Sequence, residues 1–155
     1  MAALVDTNVL VYRYDSRFPE KQRAAFELLR WGAAEGTLIV PHQAVVEFVA
    51  ATTRPLSRGG RSLLTPAEAR REAEDIVVTF PVLYPTEEVV RNALRAAALY
   101  QLSWFDAHLW ACAETFGVPE LLSEDFEHDR IYGTVRVINP FLTAESVHES
   151  PAPYG

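Results

Sequence analysis

A chain of 155 residues has the length of one ordinary domain, and at 49% hydrophobic and 23% charged its composition is that of a globular protein, neither disordered nor fibrous. The net charge of −7 speaks against nucleic-acid recognition through the overall field and leaves that task to local basic clusters. The single cysteine, Cys112, has no partner for an internal disulfide, as expected for a reducing cytoplasm; no apolar run approaches the ~20 residues that span a bilayer, and the N-terminus does not resemble a secretory signal.

In chain order, the apolar run Ala2-Ala3-Leu4-Val5 reads as a short buried strand that stops at Asp6, with Thr7 and Asn8 behind it. Two readings of Asp6 stand side by side. It caps the helix predicted from Val9 to Tyr14, or it is an acid set at the carboxyl end of a central strand, where open α/β sheets bind ligands. Pro19 suits the first turn of a second helix, and Ala24, Ala25, Leu28, Leu29 and Trp31 recur at helical spacing over Glu20 to Ala34, with Gly36 placed to end it. Thr37 to Val40 is β-branched and apolar and stops at Pro41, which predicts a second strand. His42 to Thr53 is predicted as a mostly buried helix whose single carboxylate is Glu47. An acid in such surroundings needs a partner, unless it sits on the helix's wet edge. No acid lies between Glu47 and Glu68, whereas Arg54, Arg58 and Arg61 fall close together in a glycine-containing loop, suited either to phosphates or to plain solvation.

Thr65-Pro66-Ala67-Glu68 is a capping box with proline at the first helical position, and the helix it starts is expected to run to about Asp75. Ile76 to Tyr84 is then expected to be extended, an apolar, β-branched run interrupted by Pro81. Thr86 precedes a helix from Glu87 to Tyr100 with the stripe Val89, Val90, Ala93, Leu94 and Ala97. Ser103 and Asp106 have the spacing of a cap and its third helical position on a nearly all-apolar helix from Phe105 to Phe116. Capping is the first reading of Asp106, and it is compatible with metal ligation because a helix N-terminus stabilises a carboxylate. His108, Trp110 and Glu114 read as packing or surface residues. Glu120-Leu121-Leu122 is a short strand that runs into Ser123-Glu124-Asp125, the second strand to end in a hydroxyl and acids. If Phe126 to Arg130 is helical, Asp129 lies on the same side as Asp125. Val135 to Ile138 is the last strand; residues 1–142 are taken as one domain and 143–155 as a loosely ordered tail.

Strands alternating with helices imply a three-layer α/β/α domain with a central, mostly parallel sheet. The carboxyl ends of its strands share one edge, so Asp6 and Asp125 become neighbours, and Glu47 and Asp106 on covering helices complete an acidic cluster. Carboxylates gathered without basic partners repel one another unless a cation is bound. An all-oxygen donor set selects Mg²⁺, with Mn²⁺ as the alternative, over Zn²⁺. Asp6 and Asp106 are the first candidate ligands and Glu47 and Asp125 the next, with Thr7, Asn8, Ser123 and Asp129 as orienting partners behind them. Such an ion suits phosphate chemistry.

Val-Asp-Thr-Asn-Val-Leu-Val-Tyr at 5–12, the isolated Glu47, Ser-Trp-Phe-Asp-Ala-His at 103–108 and Leu-Leu-Ser-Glu-Asp-Phe at 121–126 resemble the four blocks of PIN-domain proteins, most of all the VapC-type toxins of bacterial toxin–antitoxin pairs. The resemblance runs from Ala3 to about Pro140. It implies a metal-dependent endoribonuclease with Asp6, Glu47, Asp106 and Asp125 at the family's acidic positions and Thr7 and Ser123 at its hydroxyl positions, where many members carry threonine in place of Ser123. It also implies an antitoxin partner and a homodimer. Glu124 competes with Asp125 for the last acidic position. Two rivals are an Asp-nucleophile phosphatase, which characteristically places a second acid where this chain has Asn8, and a domain of the same fold that only binds RNA or a partner.

Overall fold

The computed structural model describes residues 1–142; the tail expected at 143–155 lies outside them. Strand β1 (Ala3–Val5) leads into helix α1 (Thr7–Tyr12), followed by α2 (Pro19–Glu35), β2 (Leu38–Pro41), α3 (His42–Thr53), α4 (Pro66–Thr79), β3 (Val82–Leu83), α5 (Glu87–Leu99), α6 (Trp104–Thr115), β4 (Glu120–Leu122), β5 (Ile131–Tyr132) and β6 (Val135–Ile138). The sheet order is β3-β2-β1-β4-β6-β5. All pairings are parallel except that of β5 with β6, in keeping with the expected α/β class.

Strand alternation sorts the core into two layers. Ala3, Val5 and Leu122 face a cluster with α1, α2, α3 and α4, whereas Leu4 and Leu121 face one built from α5 and α6. Helices thus cover both faces, as a parallel sheet requires. β1 lies in the middle, with Leu4 beside Ile39 of β2 on one side and Leu121 of β4 on the other. Its carboxyl end is therefore level with that of β4, and the Asp6 amide donates to the Leu122 carbonyl at 3.0 Å.

Several boundaries differ from the sequence expectation. α1 starts at Thr7, two residues early, because the Asp6 side chain accepts the Thr7 amide and caps the helix at once. All six of its residues are buried. α2 ends at the left-handed Gly36 as expected, but its buried residues are Ala25, Leu29 and Gly32, and Trp31 points outward. Gly32 is a close approach: a methyl there would stand 2.2 Å from Leu38 Cδ1 on β2.

α4 runs four residues beyond Asp75. Ala69, Ala73 and Ile76 continue one buried helical stripe toward Phe80, while Val78, 86% exposed, faces water. Helical packing of Ile76 overrides the β-branched character of Ile76-Val77-Val78, and only Val82–Leu83 becomes a strand. α3 is less buried than expected, with Ala44, Phe48 and Thr52 inward and Val46 exposed.

Residues 126–130 form turns rather than a helix. Asp129 sits in the left-handed region at φ 65°, which asparagine and aspartate tolerate best among residues with a side chain. This turn feeds β5, which the sequence reading missed: its two residues are joined to β6 by a turn with Gly133 at φ 62°. Among the described residues, no helix is long and apolar enough to cross a membrane.

Candidate active site

Four elements meet at the carboxyl edge of β1 and β4 and enclose an open pocket of about 240 Å³. Asp6, Thr7, Glu47, Asp106 and Asp125 line it, with Gln43, Arg54 and Phe105 among its walls. The cluster joins residues that no local stretch of sequence brings together: Asp6 ends β1, Glu47 projects from the middle of α3, Asp106 stands in the first turn of α6 and Asp125 follows β4.

Asp6 is 5% exposed and its carboxylate is fully engaged. Oδ1 accepts from the Thr7 amide at 2.6 Å; Oδ2 accepts from Ser123 Oγ at 2.5 Å and Asn8 Nδ2 at 3.2 Å. Asn8 Nδ2 also faces Asp125 Oδ2 at 3.3 Å, and Ser123 Oγ accepts the Asp125 amide at 3.1 Å. Asn8 and Ser123 thus tie the two strand-end acids into one unit. Glu47 accepts from Thr7 Oγ1 at 2.7 Å and from Gln43 Nε2 at 2.9 Å. Asp106 has its amide capped by Ser103 Oγ at 3.2 Å, so the cap and the pocket position coexist in one residue.

The acids are held against their own charge. Burial, together with the neighbouring Asp125 and Asp106, pushes Asp6 up to about 8 although Ser123 and Thr7 hydrogen bonds oppose the shift. Asp125 is pushed up to about 7, by burial first and then by Asp106 and Glu124. Asp106 is raised by burial and by Glu47. Among the described residues, no ion pair joins any of these acids to a lysine, arginine or histidine.

Such a pocket suits an added cation. Among the described residues, no group of three or more His, Cys, Asp or Glu side chains is placed to hold a metal ion. Mg²⁺ does not ask for one, because it is held by one or two carboxylates and keeps several waters. The donors are all oxygens, and Asn8 Oδ1 is buried with no hydrogen-bond partner in the described residues. The donor chemistry of the pocket therefore fits a divalent ion held by one or two of its carboxylates and otherwise by water.

Not every expected residue is in the pocket. Asp129 is exposed, and its Oδ1 pairs with Arg136 Nε at 2.8 Å on the surface; without a helix at 126–130 it is turned onto β6 instead of toward Asp125. Glu124 also points elsewhere. It accepts from Tyr12 Oη at 2.6 Å and Lys21 Nζ at 3.0 Å, an ion pair whose side chains are 12% and 5% exposed for Lys21 and Glu124. Lys21 also lies over the Tyr12 ring, 5.0 Å from its centroid. This clamp fixes the turn that carries Asp125, and the sequence reading singled out neither Tyr12 nor Lys21. Of the loop arginines, Arg54 lines the pocket, while Arg58 and Arg61 stand exposed on the loop outside its lining. Gln43 was missed as well, having no signal beyond standing one helical turn before Glu47. Cys112 is buried and its thiol is pushed up to about 11 by that burial, as befits a packing residue.

The model of the family described as PIN domain matches residues 3–134. None of the curated proteins matches at the level of sequence. Among solved structures, a toxin–antitoxin complex from Klebsiella pneumoniae aligns with TM-score 0.65 at 17% identity, over 90% of this chain and 98% of that one. VapBC2 from Rickettsia felis, bound to a DNA fragment from its promoter, aligns with TM-score 0.64 at 9% identity over 88% and 97%. VapC20 from Mycobacterium tuberculosis, a sarcin–ricin-loop-cleaving toxin, aligns with TM-score 0.56 at 16% identity over 77% and 87%.

Proposed function

Because the chain belongs to the PIN-domain family, and because it gathers in one open pocket four acids that form no ion pair among the described residues, we propose that it is a cytoplasmic, divalent-metal-dependent endoribonuclease that hydrolyses phosphodiester bonds of single-stranded RNA, the toxin of a type II toxin–antitoxin pair. The observation that carries this reading is the convergence of Asp6, Glu47, Asp106 and Asp125, from four separate elements, on one open pocket: acids gathered in this way suit a cation-dependent phosphate site.

Asp6, Asp106 and Asp125, with Glu47 at the opposite wall, would hold Mg²⁺ or Mn²⁺. Bound there, the ion neutralises charge on a phosphate and lowers the pKa of water. The chain's own residues do the rest. Ser123 and Asn8 keep Asp6 and Asp125 in fixed orientation through the hydrogen bonds given above. Glu47, held by Thr7 and Gln43, faces the pocket as an acceptor for a water proton. Arg54 at the rim meets the phosphate backbone.

The phosphatase reading is the weaker one. Such enzymes place a second acid two residues after the nucleophile, and here that place is taken by Asn8, which donates to Asp6. A binding-only role leaves the gathering of four acids in one pocket unexplained. The fold shared with toxin–antitoxin complexes supports an antitoxin partner for this chain. Val90 and Leu94, exposed one turn apart on α5, offer a contact for assembly as a homodimer.

The test is purified protein incubated with structured and unstructured RNAs in Mg²⁺, Mn²⁺ or chelator. Cleavage that needs the metal and is lost in Asp6→Asn is the expected result. Cleavage that survives chelator or Asp6→Asn overturns the proposal, and release of inorganic phosphate from small monoesters turns it toward the phosphatase.

A further inference from the structure

Glu47 and Asp106 approach the pocket from different layers of the molecule. α3 packs in the core cluster on one side of the sheet and α6 in the cluster on the other, and each helix has its main neighbours elsewhere, α1 and α4 for α3 and α5 for α6. Their relative placement needs a link over the edge of the sheet.

That link is a string of hydrogen bonds. Glu47 Oε1 accepts from Gln43 Nε2 at 2.9 Å, and the same nitrogen donates to the Phe105 carbonyl at 3.1 Å. Gln43 Oε1 lies 2.8 Å from His108 Nδ1. The two partners of the Gln43 nitrogen accept only, so turning the amide over would set its oxygen against a carboxylate and a carbonyl. The Gln43 oxygen is thereby fixed toward His108, and the contact is attractive only if Nδ1 carries a proton. Nε2 is then the bare nitrogen of the neutral ring.

Resting on the nuclease reading above, we infer that His108 and Gln43 are positioning residues: the His108 ring, fixed as its Nδ1–H tautomer, holds the Gln43 amide, which orients Glu47 against Asp106. The string is bonded to Glu47 at one end and at the other reaches α6 at the Phe105 carbonyl, next in sequence to Asp106. Gln43 stands one turn before Glu47 on α3, and His108 follows Asp106 on the first turn of α6. A slip of one helix against the other breaks the string and moves Glu47 off the pocket axis, which the bond from Thr7 to its other oxygen does not prevent alone.

Two measurements decide it. ¹⁵N NMR of the native metal-free protein reads the His108 tautomer directly: a protonated Nδ1 and a bare Nε2 are expected, and the opposite assignment overturns the string. In the RNA-cleavage assay, His108→Leu removes the donor, whereas His108→Asn sets an amide N–H near the place of Nδ1–H. The expected result is a fall in kcat of about 10–100-fold for His108→Leu with KM changed less than about threefold, and recovery of most of that loss in His108→Asn. Equal loss in both variants, or an unchanged kcat in His108→Leu, overturns the inference. Absence of cleavage by the native protein removes the nuclease reading by itself, and the tautomer still decides whether the string exists.

Discussion

Taking the metal-free protein from pH 5 to pH 8 isolates the cost of charging the pocket. A free aspartate ionises near 3.8, whereas folded Asp6 is pushed up to about 8, so at pH 5 the unfolded chain has lost this proton and the folded one keeps it. The folded state binds more protons than the unfolded state across the window, and stability therefore falls as pH rises until about pH 8 is passed. At about 1.4 kcal/mol per unit, the three units set a ceiling of about 4 kcal/mol for Asp6. Asp125, pushed up to about 7, adds a smaller share because it is partly open to water. With solvent screening at the open pocket, the expected loss is on the order of 1–3 kcal/mol, or roughly 3–10 °C in Tm for a domain of this size. The assay is thermal unfolding by circular dichroism in chelator at pH 5, 6, 7 and 8, for the native chain and Asp6→Asn, repeated with saturating Mg²⁺. The native chain loses stability with pH, Asp6→Asn flattens the curve, and Mg²⁺ restores the native Tm at pH 8. A native Tm that is flat or rising in chelator, or an Asp6→Asn variant with the native slope, refutes the reasoning.

Other outcomes follow from the same geometry. Expression of the chain alone is expected to arrest growth and Asp106→Asn to relieve the arrest, read from growth curves; arrest that persists in the variant counts against the proposed site. Lys21→Met leaves the Glu124 charge buried without its cation and is expected to cost about 3–5 kcal/mol in denaturant unfolding, with part of the loss regained in Lys21→Met/Glu124→Gln. Gly32→Ala drives a methyl into Leu38 Cδ1 and Cγ, 2.2 and 2.3 Å away; a loss of about 1–3 kcal/mol is expected, and combined with Leu38→Ala, which removes both carbons, the two losses are less than additive. Arg54→Ala is expected to raise KM for RNA several-fold and to lower the salt dependence of KM by about one phosphate contact, whereas Arg58→Ala, outside the pocket lining, changes both less.

The parts of the fold that a sequence can carry are those with local chemistry. Thr65-Pro66-Ala67-Glu68 forms its capping box, with Thr65 and Glu68 exchanging bonds of 3.0 and 3.2 Å, because both partners lie within one turn. The two strands that end in acids were readable as strands for the same reason, and parallel pairing then placed Asp6 and Asp125 side by side. What failed depended on partners far along the chain. Ile76 to Thr79 looked extended because side-chain shape alone favours a strand, and only the core around Phe80 keeps it helical. Asp129 was set near Asp125 by assuming a helix, yet its turn is decided by pairing with β6, where its amide donates to Val137. Lys21 had no local mark at all, since it matters through Glu124 far along the chain, and Gln43 had only its place one turn before Glu47, its bonds to α6 being invisible in the sequence. At Asp6 the cap is seen and leaves the carboxylate in the pocket: the residue caps α1 and lines the pocket at the same time.

The hydrogen bond between Ser123 and Asp6 spans 117 residues of chain. An emerging polypeptide has β1 long before β4, and until β4 slots in beside it Asp6 has neither Ser123 nor Asp125 next to it. Domains fold as units during synthesis at about 5–20 residues per second, so the pocket is closed to chemistry for several seconds after its first acid is made. If the target is RNA, as proposed, the site cannot act until β4 has been made and has paired with β1.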